Sequence, residues 1–344
     1  MKRLLRNALW ICLTLGWSYA SGQQPLVTAV GPIGITVSDM DRSMDFYSRV
    51  LHFSKISDDE LAGENVEHVK GVFGSRIRLV RLQLGEEQIE LSEFLAPQGR
   101  PVPIDSRSND HWFQHIAIIV RDMDAAYAWL RQNKTRFASS GPQTLPAWNK
   151  NAGGIKAFYF RDPDNHVLEI LWFPPGKGLP KWHNPGKELF MGLDHTAIVV
   201  SNTEASLRFY RDLLGMHVAG ASENYGTEQE HLNNVLGAHL RITSLRASSG
   251  PGIEFLEYLA PRDGRQIPED LRANDVTHWE TELLTQQPVQ NWGELLAKAE
   301  HISSQPEELS IAGEAVREFI IKDPDGHAVA LKFAKEQQAV VSKQ

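Results

Sequence analysis

At 344 residues the chain is long enough for about two domains with real cores, and 42% hydrophobic against 23% charged residues reads as soluble and globular. Its 43 Asp and Glu outnumber 35 Lys and Arg, a formal charge of −8 that argues against nucleic acid as a partner. A lone cysteine, Cys12, excludes an internal disulfide.

Residues 1–20 have the layout of a secretory signal peptide: Lys2, Arg3 and Arg6, an apolar run from Ala8 to Trp17, then Ser18-Tyr19-Ala20 as a small-x-small cleavage pattern. The run is too short to span a bilayer comfortably. The mature protein is therefore expected to be secreted or periplasmic, with no membrane partner after signal cleavage. Cleavage after Ala20 removes Cys12, three basic residues and no acidic ones, raising the acidic excess from 8 to 11. Any metal must then be held by His, carboxylates, backbone or water.

From residue 31 onward the chain repeats itself. Gly31–Phe53 alternates apolar residues as a strand does, passes an acidic turn and changes to helical spacing. The same pattern returns in His115–Leu130, in Asp194–Met216 and, more loosely, in Glu280–Ala299. Asn202 and Thr203 can cap the third of these helices and Gly215 can end it. Short β-rich runs separated by Gly, Pro, Asn and Asp follow each helix. The halves match at longer range too: Ile89–Pro97 answers Ile253–Pro261, Arg161–Ile170 answers Lys322–Leu331, and the pattern Pro-x-Asp-x-Arg-x-Asn-Asp occurs at 103–110 and again at 268–275. The fold expected is α+β, four βαβββ units paired into two half-barrels. The first domain spans 31–173 and the second 191–335, with a Pro/Gly/Lys-rich linker at 174–190 and a flexible tail at 336–344.

Four features in this order carry a family resemblance: the opening x-His-x-x-(V/I)-x-V strand, the Phe-Tyr helix, the Ile-Glu-Leu strand and the closing Asp-Pro-Asp-(Gly/Asn)-His strand. The chain resembles the vicinal oxygen chelate superfamily of glyoxalases, extradiol dioxygenases and bleomycin-resistance proteins over nearly all of residues 31–335. The resemblance implies a divalent metal in each cup, held by residues from the first and last strands of paired units. The matching positions are Pro32, Glu90, His115 and Glu169 in the first half, and His195, Glu254, Glu280 and Ala330 in the second. Pro32 and Ala330 cannot bind metal, so the expectation is two sets of three ligands, Glu90/His115/Glu169 and His195/Glu254/Glu280. The first is the better candidate. Three ligands plus water make a workable open site for Fe, Mn, Zn or Ni.

His278 lies two residues before Glu280 on the same strand face and is an alternative ligand. Glu280 could instead pair with Arg241 or Arg246. Glu93 and Glu257 fall on the opposite sheet face, where salt bridges or loop caps are expected. His68 and His231 recur without a clear role, and His111, His166, His183 and His327 are expected to be solvent-exposed. Tyr47, Tyr210, Phe46 and Phe209 are expected in the core.

By resemblance, the function is that of an exported metal-dependent enzyme of glyoxalase or dioxygenase type, acting on a small substrate with vicinal oxygens. Glu169 or Glu90 would serve as its base. Neither half supplies the 2-His-1-carboxylate set of non-haem iron unless His278 takes part. The alternative is a metal-free, small-molecule-sequestering protein of bleomycin-resistance type. A homodimer is compatible with the resemblance.

Overall fold

The structure, a computed structural model, describes residues 25–184, 186–285 and 297–334. The signal-peptide segment, the tail at 336–344 and most of the helix expected within 280–299 lie outside the described residues. Among them, no helix is long and apolar enough to cross a membrane.

Two sheets of nine strands organise the rest. Each described helix of the repeat starts where an Asx side chain accepts a backbone N–H: Asp39 from Arg42, Asp122 from Ala125 and Asn202 from Ala205. The helices and both sheets share one core, in which Ile33 and Ile35 of one sheet and Ile116 and Phe158 of the other gather with the helix residues Tyr47 and Tyr210. Tyr47, Tyr210 and Phe209 are buried as expected, and Phe46 packs partly buried against the same cluster.

The strand order corrects the expected pairing of the units. Val27–Val37, opening the first unit, pairs antiparallel with Trp279–Thr285, opening the fourth. Phe190–Val199 pairs likewise with Gln114–Val120, joining the third unit to the second. Neither 31–173 nor 191–335 therefore closes a half-barrel on its own; each sheet takes one unit from each half.

The physical reason lies in the two segments that lead from one sheet to the other, 97–113 and 261–278, which are clasped together. Arg100 Nη2 donates to Asp275 Oδ2 at 2.7 Å, and Arg265 Nη2 donates to Asp110 Oδ2 at 2.7 Å. A Cβ at Gly99 would stand 1.9 Å from the Asn274 carbonyl oxygen, and one at Gly264 1.9 Å from that of Asn109, so the clasp requires glycine at both crossings. The repeated Pro-x-Asp-x-Arg-x-Asn-Asp pattern supplies these acidic and amide partners.

Two histidines expected at the surface are instead buried ties on the same segments. His166 meets Asp162 through Nδ1 at 2.8 Å and donates from Nε2 to the Val276 carbonyl at 2.6 Å, while the Tyr47 hydroxyl donates to the same aspartate. His327 repeats this with Asp323, the His111 carbonyl and Tyr210. His111 is also buried, whereas His183 does lie in an exposed setting. A ring that faces a carbonyl on one side and a carboxylate on the other donates from both nitrogens and is charged. Burial opposes that charge, but the adjacent Asp162 and Asp323 outweigh it, so both histidines are held above their ordinary pKa.

This raised pKa gives a pH dependence with a defined sign. The stabilisation is fully present below about pH 6.5, the ordinary histidine value, and is lost as pH rises through the elevated value in the folded state. Urea unfolding between pH 6 and 10 should show stability falling over that window, and the fall should flatten in the His166→Gln/His327→Gln variant. A wild-type profile that is flat or rising would contradict these ties.

Candidate metal centre

Side chains alternate across each strand, so His195, Ala197 and Val199 share one face, as do His115, Ala117 and Ile119. Register places Ala197 opposite His115 and beside Glu254, while Ala117 stands beside Glu169. Four side chains thus converge on the concave face of the sheet built from residues 114–172 and 190–260. His115 Nε2 lies 3.3 Å from Glu169 Oε2, and His195 Nε2 lies 3.7 Å from the same oxygen and 3.6 Å from Glu254 Oε1. Alanine at 117 and 197 leaves the floor of this cup open.

The group could hold a cation. His115, Glu169 and His195 offer ligand atoms within 4.8 Å of one another and are all buried. Both ring nitrogens of His115, and Nε2 of His195, are buried without a hydrogen-bond partner. Two carboxylates and two imidazoles facing one another with no hydrogen bond between them are costly to bury. A divalent ion removes that cost and suits this mixed N/O set.

Around the centre, Asp194 fixes His195. Its Oδ2 is 3.0 Å from His195 Nδ1, leaving Nε2 to face the centre. Arg246 Nη2 donates to both Asp194 oxygens at 2.9 Å, and Trp182 Nε1 donates to Oδ1 at 2.9 Å. Burial would raise the Asp194 pKa, but His195, Arg246 and Trp182 hold it well below the usual carboxylate range. Burial would lower His195, but Glu254, Asp194 and Glu169 lift it to about 9. Glu254 is steadied by Ser244, whose Oγ donates to it at 2.8 Å.

A cavity of about 330 Å³ opens above Glu169, His195 and Glu254. Tyr159 lines it, with its ring centroid 4.9 Å from that of His115 and a phenol pushed well above its ordinary pKa by burial, then by the nearby Glu169 charge. The linker is part of the wall: Gly178 and Leu179 line the cavity beside Phe173, and Trp182 is buried. Sequence reasoning missed Asp194, Tyr159 and this wall. Asp194 directly precedes His195, and that adjacency was the available signal.

Neither expected ligand triplet is brought together. His115 and Glu169 join His195 and Glu254 in this cup, while Glu90 and Glu280 lie in the other, because the units pair crosswise. The equivalences between halves hold, however: Gly34 faces Glu280 and stands beside Glu90, as Ala197 does with His115 and Glu254. Together the halves supply the 2-His-1-carboxylate set that neither contains alone.

In the other cup, Pro32 and Ala330 give no donors and lysines fill the place of a cation. Lys70 Nζ lies 2.8 Å from Glu280 and 2.9 Å from Glu318. Lys332 Nζ lies 2.8 Å from Glu282, 3.3 Å from Glu318 and 3.5 Å from Glu90, which also accepts from Arg81 at 2.8 Å. Burial, then the charges of Glu90 and Glu318, push Glu282 up to about 8. Lys70, Lys332 and Arg81 thus face the four carboxyl groups of Glu90, Glu280, Glu282 and Glu318. His278 bonds Glu280 at 3.0 Å here, far from serving His195. Arg241 pairs with Glu257, which also accepts from the Thr203 N–H at the start of its helix, so Glu257 both pairs and caps as expected. His68 bonds Glu307.

The description Glyoxalase/Bleomycin resistance protein/Dioxygenase superfamily matches residues 29–170 and 192–331. The chain belongs to this superfamily. Among relatives in the superfamily, it is 30% identical over 163 residues to a 2-epi-5-epi-valiolone epimerase of an Actinomyces species, an alignment covering 44% of this chain and 83% of that protein. It is 25% identical over 146 residues to the metallothiol transferase FosB of Staphylococcus epidermidis, covering 42% and 81%. The structure of glyoxalase I from Zea mays superposes with a TM-score of 0.55 at 14% identity over 89% of this chain and 92% of that one, a likeness of fold. At family level these relatives support a metal-dependent enzyme.

Replacing Lys332 by Met should leave buried carboxylates without their ammonium and cost about 3–5 kcal/mol of stability in urea unfolding. A loss below about 1 kcal/mol, the range of exposed ion pairs, would contradict the role given to this lysine.

Proposed function

We propose that this protein is a metal-dependent enzyme with one working centre, in the cup of His115, Glu169, His195 and Glu254. Its substrate is a small molecule with neighbouring oxygens, and its reaction moves a proton beside a carbonyl, as an isomerase or lyase does. The convergence of two imidazoles and two carboxylates with unpartnered ring nitrogens carries this reading. A bound divalent ion would supply Lewis acidity, polarising a substrate oxygen and acidifying the adjacent C–H. Glu254, with 19% of its side chain exposed against 6% for Glu169, is the carboxylate with more freedom to take and return that proton. Glu169, within 3.7 Å of both histidines, is the more fixed ligand. The Tyr159 hydroxyl faces the same space and can donate to a substrate oxygen.

A second reading has its own support: His115, His195 and Glu169 form the 2-His-1-carboxylate set used by non-haem iron oxygenases. Glu254, a fourth potential ligand, weighs toward proton transfer. A metal-free sequestering protein is disfavoured by the cost of leaving these carboxylates uncompensated. We also propose export, on the basic, apolar and small-residue order of residues 1–20; the N-terminus of the protein recovered from outside the cytoplasm should then begin after Ala20. Because one chain supplies both parts of the centre, a dimer is not needed to complete it.

The purified full chain, reloaded with Mn²⁺, Fe²⁺, Zn²⁺ or Ni²⁺, should retain one equivalent of metal by elemental analysis. His115→Ala and His195→Ala should each abolish binding. Retention of no stoichiometric metal would overturn the proposal. With an α-hydroxyketone in deuterated water, metal-dependent C–H exchange should fall about 10²–10⁴-fold in Glu254→Gln. Oxygen consumption with a catechol, without such exchange, would select the dioxygenase reading instead.

A further inference from the structure

The cavity walls say what kind of molecule reaches this centre. Leu171, Leu232, Ile242 and Leu256 form an apolar body above Glu169, His195 and Glu254. Arg246 is the one Lys or Arg lining the cavity among the described residues, and its guanidinium is paired with Asp194: Nη2 on both carboxylate oxygens, Nη1 on the carbonyl at 3.1 Å. Lys177, just outside, gives its ammonium to the carbonyls of Lys150 at 2.8 Å and Asn151 at 2.9 Å. The matching helices of the two cups end differently, Glu64–Lys70 on a lysine and Thr227–Asn233 on an uncharged amide. Beyond the metal proposed above, the cavity lining therefore offers a charged substituent no cation without an acidic partner among the described residues.

Gln229 adds a polar reading point. It is 3% exposed and lines the cavity. Asn233 Nδ2 donates to the Tyr258 hydroxyl at 2.8 Å, so Asn233 Oδ1 faces Gln229 and accepts from its Nε2. Gln229 is thereby oriented, and its Oε1 is left buried with no partner. A buried acceptor without a donor is an exception that a native site explains by what binds there.

Resting on the functional reading above, we propose that the substrate is an uncharged molecule with a largely apolar body, bearing a hydroxyl or N–H beyond its two neighbouring oxygens, and that Gln229 accepts a hydrogen bond from that donor. Gln229 is a specificity-determining residue on this account; it touches the substrate away from the reacting atoms. A carboxylate or phosphate carried away from the metal finds no unpaired cation in the lining among the described residues.

The test uses the metal-loaded full chain and 2-hydroxyacetophenone as the neutral probe, set against its ring-carboxylated analogue and against analogues with a methyl or hydroxymethyl group at the meta or para position. Calorimetry should show the neutral probe binding at least tenfold tighter than the carboxylate, and one hydroxymethyl isomer binding tighter than its methyl counterpart. Gln229→Leu should erase that hydroxymethyl preference while leaving the methyl probe's affinity and the metal content unchanged. Equal or tighter binding of the carboxylate, failure of every probe to bind, or a hydroxymethyl preference that survives Gln229→Leu would overturn the proposal. Metal content measured on the same samples separates the two readings. A neutral preference without metal would support this substrate class while refuting the metal centre, and the absence of both would refute both.

Discussion

Everything in this molecule depends on the crossing of the two segments that carry the chain from one sheet to the other. Arg100 reaches Asp275 and Arg265 reaches Asp110 across a point where Gly99 and Gly264 let backbones pass closer than a Cβ allows. A charged hydrogen bond onto a buried carboxylate is strong because its loss leaves that carboxylate unpaired. The crossing decides which units share a sheet, and so which ligands share a cup. Had consecutive units paired, His115 would face Pro32 rather than His195, and no cup would hold more than three ligands.

Crosswise pairing also accounts for the divergence of the two cups. One collects all four ligand-bearing positions; the other collects Pro32, Glu90, Glu280 and Ala330. Deprived of a metal set, the second cup has become a charge network in which Lys70, Lys332 and Arg81 come to balance the buried carboxyls. Such a network ties the first unit to the fourth, as a shared metal would. In the working cup the positions of Lys332, Lys70 and Arg81 are taken by Leu171, Asn233 and Ser244, judged by strand register and helix ends. That exchange keeps its cavity open and uncharged apart from the ligands and one internal pair.

Much of this was legible in the sequence, for physical reasons that can be named. The repeat fixed the strand and helix periods, the Asn202 cap was expected, and the equivalence of Pro32 with His195 and of Glu280 with His115 survives in the register. Pairing was not legible because the units are copies: the edge that Val27–Val37 offers to Trp279–Thr285 resembles the one it could offer to Gln114–Val120. Site membership followed from pairing, so the four residues of the cup were named but split between two expected triplets, which also held Glu90 and Glu280. His166 and His327 were expected at the surface because they lie in turns, and a turn gives no sign that another segment will bury it. Lys70 and Lys332 carried no sign either, since a lysine at a helix end or strand end is ordinarily solvated.

The most direct test of the account is anomalous diffraction from crystals of the full chain loaded with Mn²⁺ or Zn²⁺. It should show one strong peak per chain, within coordination distance of His115, Glu169, His195 and Glu254, with no peak near Glu90 and Glu280. A peak among Glu90, His115 and Glu169 alone, or a peak in the lysine-filled cup, would contradict the crosswise centre on which the rest of the account stands.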